Sequence, residues 1–173
     1  MSSRAQAEQH IEVHKFYGGA MALAAFLALF LQAFLNKYGS WAAMLELPLL
    51  ITIYFSVSRR SPAIGLLLGA MVGILQDAVS HMPIGFYGIA KTLVGYVASS
   101  FGARIDTEHP LSRFGLVVAF FFFHQAVLTI LNRLILGRPG SYFSWRLLIA
   151  SIVNAGVAMF LFPALDRLRK PHG

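Results

Sequence analysis

Pro62-Ala63-Ile64-Gly65-Leu66-Leu67-Leu68-Gly69-Ala70-Met71-Val72-Gly73-Ile74-Leu75-Gln76-Asp77-Ala78-Val79-Ser80, closed by Met82-Pro83-Ile84-Gly85, decides the fold. A helix needs about 20 predominantly apolar residues to cross a hydrocarbon core of about 30 Å. This run is just long enough, with Asp77 as its one ionisable residue near the far end. Counted as a span, it makes six spans of the whole chain; discounted, it leaves five. Gly65, Gly69 and Gly73 recur every four residues and form one smooth stripe on a helix. Such stripes let a second backbone approach closely, so that van der Waals contact replaces the missing hydrophobic drive in lipid. The stripe serves either packing within the bundle or docking of another protein.

Pro83, Ile84 and Gly85 mark a turn, and an apolar run with a single lysine, Lys91, follows. Asp77 and Lys91 lie equally far from Ile84, so an antiparallel hairpin is expected to bring them to one depth. A salt bridge between them would lower the cost of holding both charges in the membrane. The pair would lock the hairpin or, less simply, take part in a proton or ion relay.

Outward from this hairpin the same alternation continues. Apolar runs cover Phe16–Leu35, Trp41–Val57, Phe86–Ala103, Phe114–Leu136 and Phe143–Leu165. The first is too long for a signal-peptide core and is read as a retained helix. Ala20, Ala24 and Ala28 give it a small-residue stripe of its own. In the second, Glu46 and Pro48 stand near the start, where Pro fits a first turn or kinks a longer helix. Arg59-Arg60 and Gly137-Arg138-Pro139-Gly140 are short connections. Composition agrees: 57% of the 173 residues are hydrophobic and 12% charged, about half the charged fraction of a soluble domain. The expected architecture is all-α, a polytopic membrane helix bundle of about six spans. It forms one membrane domain over residues 1–173, with a short segment 1–15 before it and a basic tail 166–173 after it.

The net charge of +7 is scattered singly between apolar runs, which is the pattern of positive-inside topology rather than of nucleic-acid binding. With a cytoplasmic N-terminus, the inner segments hold Arg4, Lys15, Arg59, Arg60, Arg104, Arg113, Arg167, Arg169 and Lys170. The outer ones hold Lys37, Arg133, Arg138 and Arg146. Nine against four places both termini in the cytoplasm. Trp41, Tyr142, Phe143 and Trp145 would then form an outer aromatic belt, and the basic tail would meet anionic lipid headgroups.

His124 follows four phenylalanines near the middle of the fifth run, with Gln125 beside it and Asn132 and Asn154 further on. Polar groups at such depth hydrogen-bond between helices; a lone histidine could also bind a ligand or carry a proton. His10 and His14 share a helical spacing, but two ligands without a third are weak evidence for a metal. There is no cysteine, so thiolate chemistry is excluded. No HExxH, GxSxG or phosphate-cradling glycine loop occurs. No enzyme, metal or cofactor is expected.

Two stretches carry a resemblance: Leu47-Pro48-Leu49-Leu50-Ile51-Thr52-Ile53-Tyr54-Phe55, and the glycine helix that runs through Leu75-Gln76-Asp77 to Pro83-Ile84-Gly85. In order, spacing and span number the chain resembles the rod shape-determining MreD family, although Leu49 stands where the family often has Asp after Pro. The resemblance implies an inner-membrane component of bacterial lateral growth, working with MreC, the MreB filament, and the polymerase RodA with its class B penicillin-binding transpeptidase. It implies no catalytic residues. It also implies a fold like the membrane-embedded substrate-binding subunits of energy-coupling-factor transporters. That keeps a second function in view, a small-molecule-binding subunit of an uptake transporter. On the scaffold reading, Gly65, Gly69 and Gly73 pack the bundle or dock MreC's helix, and Asp77, Pro83, Gly85 and Lys91 fix the hairpin.

Overall fold

The computed structural model describes residues 17–39, 44–80, 83–102, 109–137 and 144–168. These form six α-helices: α1 (Gly18–Leu35), α2 (Leu47–Arg59), α3 (Pro62–Ser80), α4 (Phe86–Phe101), α5 (Pro110–Leu136) and α6 (Trp145–Asp166). A short 3-10 turn, Asn36–Tyr38, extends α1, and no strand occurs among the described residues. Four helices, α1, α3, α5 and α6, are long and apolar enough to cross a membrane. His10, His14, Trp41, Tyr142, Phe143, Arg169 and Lys170 lie outside the described residues, as do Arg4, Lys15, Arg104 and Arg138 of the charge count.

The helix ends follow local chemistry. Pro48 sits in the first turn of α2 and Pro110 in the first turn of α5, where proline's missing N–H is no loss. For this reason α5 begins four residues before the expected Phe114. Helix α2 begins at Leu47, so the expected second run is shorter as a helix than as an apolar stretch. Ser144 caps α6 by accepting from the Leu147 N–H at 3.3 Å. Helix α5 ends on Gly137 in the left-handed region, φ 61°, a conformation glycine takes without steric penalty. Helix α2 ends the same way on Arg60, φ 50°, a position where a side chain is disfavoured.

Helix α2 is the axis of the molecule. Every residue from Leu47 to Ser58 is buried, as expected of a helix apolar on all sides and enclosed by protein. It touches all five other helices. Around it α1, α3, α4, α5 and α6 follow one another as packed neighbours, but α6 and α1 do not meet. The ring is therefore open on one side. At 13 residues α2 is about 20 Å long, too short to cross the hydrocarbon alone. Its non-helical entrance is tolerated because protein surrounds it. Helix α5, with 27 residues, is about 40 Å long and exceeds the core unless tilted.

The tightest pair is α3 with α4. A Cβ added to Gly65, Gly69 or Gly73 would collide with the carbonyl oxygens of Gly95, Lys91 and Tyr87 respectively. Across the contact, a Cβ on Gly95 would collide with the carbonyl of Gly65. The glycine stripe thus lies against the α4 backbone along its length. At the end of the bundle where α2 stops, the Tyr54 hydroxyl donates to Asp166 at 2.7 Å and Arg113 pairs with the same carboxylate at 2.9 Å. That cluster ties α2, α5 and α6 together.

Candidate functional site: a buried polar layer beside an open groove

At the opposite end, where α2 begins, the other five helices and the entrance to α2 each contribute a polar side chain to one layer. The layer starts from a backbone problem. Met44 to Glu46 is not part of an α-helix, and the Met44 carbonyl, the Glu46 N–H and the first N–H of α2 lack helical partners. Asn154 of α6 accepts from the Glu46 N–H at 2.9 Å and donates to the Met44 carbonyl at 2.8 Å. Gln32 of α1 accepts from the Leu47 N–H at 3.1 Å. Two amide side chains, both buried, thus cap from outside what the chain cannot cap itself.

The Glu46 carboxylate turns inward. Its Oε2 lies 3.6 Å from Nζ of Lys91 on α4 and accepts from Gln76 of α3 at 3.3 Å. Lys91, wholly buried, also lies 3.3 Å from Nε2 of His124 on α5 and 4.7 Å from the centroid of the Tyr87 ring. That ring stacks on the His124 imidazole, with centroids 6.1 Å apart. With Lys91 donating, Nε2 of His124 accepts and Nδ1 carries the proton. Nδ1 of His124 and Oε1 of Gln76 are buried without a hydrogen-bond partner among the described residues.

Asp77 does something else. Its Oδ2 accepts from the backbone N–H groups of Gly85 at 2.8 Å and Gly88 at 3.1 Å, and its Oδ1 from that of Tyr87 at 2.8 Å. A carboxylate from α3 thus caps the start of α4, where free N–H groups and the helix dipole favour negative charge. Gly85 holds φ 107° there, a value side chains rarely adopt. Pro83 leads into this turn, its carbonyl accepting from the Phe86 N–H at 3.3 Å.

This corrects the expected Asp77–Lys91 pair. In the observed register Gly73 faces Tyr87 and Gly69 faces Lys91. The Lys91 backbone is therefore eight positions from Asp77 along α3, about 12 Å of helix rise. The turn is not a symmetric pivot at Ile84, because α4 slides past the end of α3 until Asp77 meets its N-terminus. Lys91 finds its carboxylate on Glu46 instead. Of the sequence candidates, Lys91 and His124 come together, while Asp77, Pro83 and Gly85 form the hairpin cap. Gly65, Gly69 and Gly73 lie on the α3–α4 contact and not on an open face. Glu46, Gln76 and Asn154 were not singled out as site residues. The signal for Glu46 is a carboxylate at the entrance of an apolar run, which the equal spacing of Asp77 and Lys91 about Ile84 obscures.

The gap between α6 and α1 forms a groove of about 320 Å³. Ala20, Ala24 and Ala28 line one side, Leu161 and Leu165 the other, and Leu47 and Ile51 of α2 the floor. Leu23 and Leu27 at its rim are more than half exposed.

An apolar exterior around a charged, hydrogen-bonded interior, on helices long enough to cross a bilayer, defines a polytopic α-helical integral membrane protein. The chain belongs to the MreD family: the family model described as rod shape-determining protein MreD matches residues 16–169 of its 173 residues. It is thereby a membrane component of the machinery that determines rod shape. No curated protein and no solved structure matches the chain.

Proposed function

We propose that this protein is a non-enzymatic scaffold of the bacterial inner membrane, with both termini in the cytoplasm. It holds the membrane helix of MreC and, with MreC, supports the MreB filament and RodA with its class B penicillin-binding transpeptidase. The observation that carries this reading is the open ring. The ring around α2 is open between α6 and α1, and a further apolar helix seated in that groove would close it against an alanine wall. Small side chains allow close approach of a helix in lipid. The glycine stripe is unsuited to this role, because α4 already lies on it.

Co-purification in mild detergent tests the proposal. The protein is expressed with MreC from its own organism, and an unrelated single-span protein serves as control. Stoichiometric recovery of MreC is expected, falling when Ala24→Leu and Ala28→Leu narrow the groove. Recovery untouched by both changes would place the interface elsewhere, and absence of recovery would contradict the scaffold.

A further inference from the structure

A second opening lies on the other side of the polar layer, between the start of α2 and helices α5 and α6. It encloses about 240 Å³. Among the described residues its apolar walls include Phe121, Leu147 and Ala150, and its polar groups are Glu46, Gln125 and Arg146. The Glu46 side chain is one-tenth exposed. Its Oε2 is committed to Lys91 and Gln76, while Oε1 has no hydrogen-bond partner among the described residues. Arg146 is exposed and has neither an ion pair nor a hydrogen bond there. Trp145 beside it is 70% exposed, as tryptophans are at the membrane–water interface.

We propose that this cleft binds a zwitterionic headgroup, an ethanolamine phosphate, with its primary ammonium donating to Glu46 and its phosphate held by Arg146. The two ends of the cleft differ in sign and in solvation. A carboxylate oxygen beside apolar walls, its twin already held by Lys91 and Gln76, selects a compact donor cation. A guanidinium at the mouth selects a phosphate, which it can hold bidentately. An anionic headgroup without an amine would satisfy Arg146 and offer Glu46 no donor. A trimethylammonium has no N–H to donate. The depth places the ammonium below the headgroup plane and the phosphate at it, as for a lipid drawn partly into the bundle. The free phosphoester offers the same chemistry without the acyl chains. This inference is independent of the MreC groove, which shares none of its lining residues with the cleft.

The test uses the whole purified protein and native mass spectrometry, with phosphatidylethanolamine, phosphatidylglycerol and phosphatidylcholine offered in equal amounts. Phosphatidylethanolamine is expected to be retained about fivefold over either of the others, and Arg146→Ala is expected to remove most of that preference. Arg146 is exposed, so this variant folds as the parent does. A second variant, Gln125→Leu, alters the wall without touching the charges and checks the same site. Competition by soluble glycerophosphoethanolamine would show that the headgroup suffices; failure to compete, with the lipid still selected, would assign the site to membrane lipid. Equal retention of the three lipids, or a preference unchanged by Arg146→Ala, would overturn the proposal.

Discussion

Asp77 is 1% exposed and accepts three backbone N–H groups at the start of α4. Removing it leaves the buried Gly88 N–H with nothing to bond and takes the acceptor from two partly buried ones, and a buried orphan costs about 1–3 kcal/mol. Asp77→Ala is therefore expected to destabilise the protein by about 1–3 kcal/mol. Asp77→Asn keeps one acceptor oxygen and should lose less. Thermal unfolding in detergent checks the order, and equal melting temperatures for both variants and the parent would refute it. Lys91 and Glu46 make a different kind of pair. Breaking a buried ion pair from one side strands a charge, at about 3–5 kcal/mol. Lys91→Met is accordingly expected to be more damaging than the double variant Glu46→Gln/Lys91→Met, in which neither charge remains. A double variant worse than Lys91→Met would show that the pair is not the reason Lys91 is tolerated. The sequence makes an intramembrane lysine conspicuous but not its partner. Glu46 lies 45 positions away, just before α2, and only the packing of α2 against α4 brings the two together.

Among the elements, α3 and α4 carry the clearest expectation. Gly69 has the Lys91 carbonyl where a Cβ would go, whereas Gly115 on α5 has no heavy atom within 4 Å of that position. Gly69→Ala should push the two helices apart at about 1–3 kcal/mol, the usual range for overpacking. Gly115→Ala should be neutral or slightly stabilising, because alanine is the better helix former. Paired melting curves decide this, and equal effects at the two sites would contradict the close α3–α4 contact. The α3 side of this contact was legible in the spacing of Gly65, Gly69 and Gly73. The register was not. Equal spacing from Ile84 assumed a symmetric turn, whereas the capping of α4 by Asp77 shifts the pairing by four residues on each helix. The same limit applies to α2. An apolar run reads alike whether lipid or protein surrounds it, so Leu47–Phe55 gave no sign that it forms the axis.

For the molecule as a whole, hydropathy was enough to define a polytopic helical bundle, because lipid imposes long apolar runs on any chain that crosses it. The arrangement of those helices depends on contacts between positions far apart in sequence. The open arc of α1, α3, α4, α5 and α6 around α2 leaves the Ala20, Ala24 and Ala28 face beside a groove. The Arg113–Asp166–Tyr54 cluster fixes α6 to α2 and α5 at one end, and Asn154 fixes it to the entrance of α2 at the other. One wall of the groove is thus held at both ends, which suits a surface that receives a helix without rearranging.

The chain contains no cysteine, so single cysteines can report contacts against a silent background. The most direct test of the scaffold places one cysteine at Ala24, Ala28 or Leu161 in the groove, or at Leu134 on α5, which is 78% exposed. Each is paired with cysteines scanned along the membrane helix of MreC in cell membranes. The account predicts disulfide crosslinks at the groove positions, recurring with helical period along MreC, and none at Leu134. Crosslinks at Leu134 with none in the groove would contradict it.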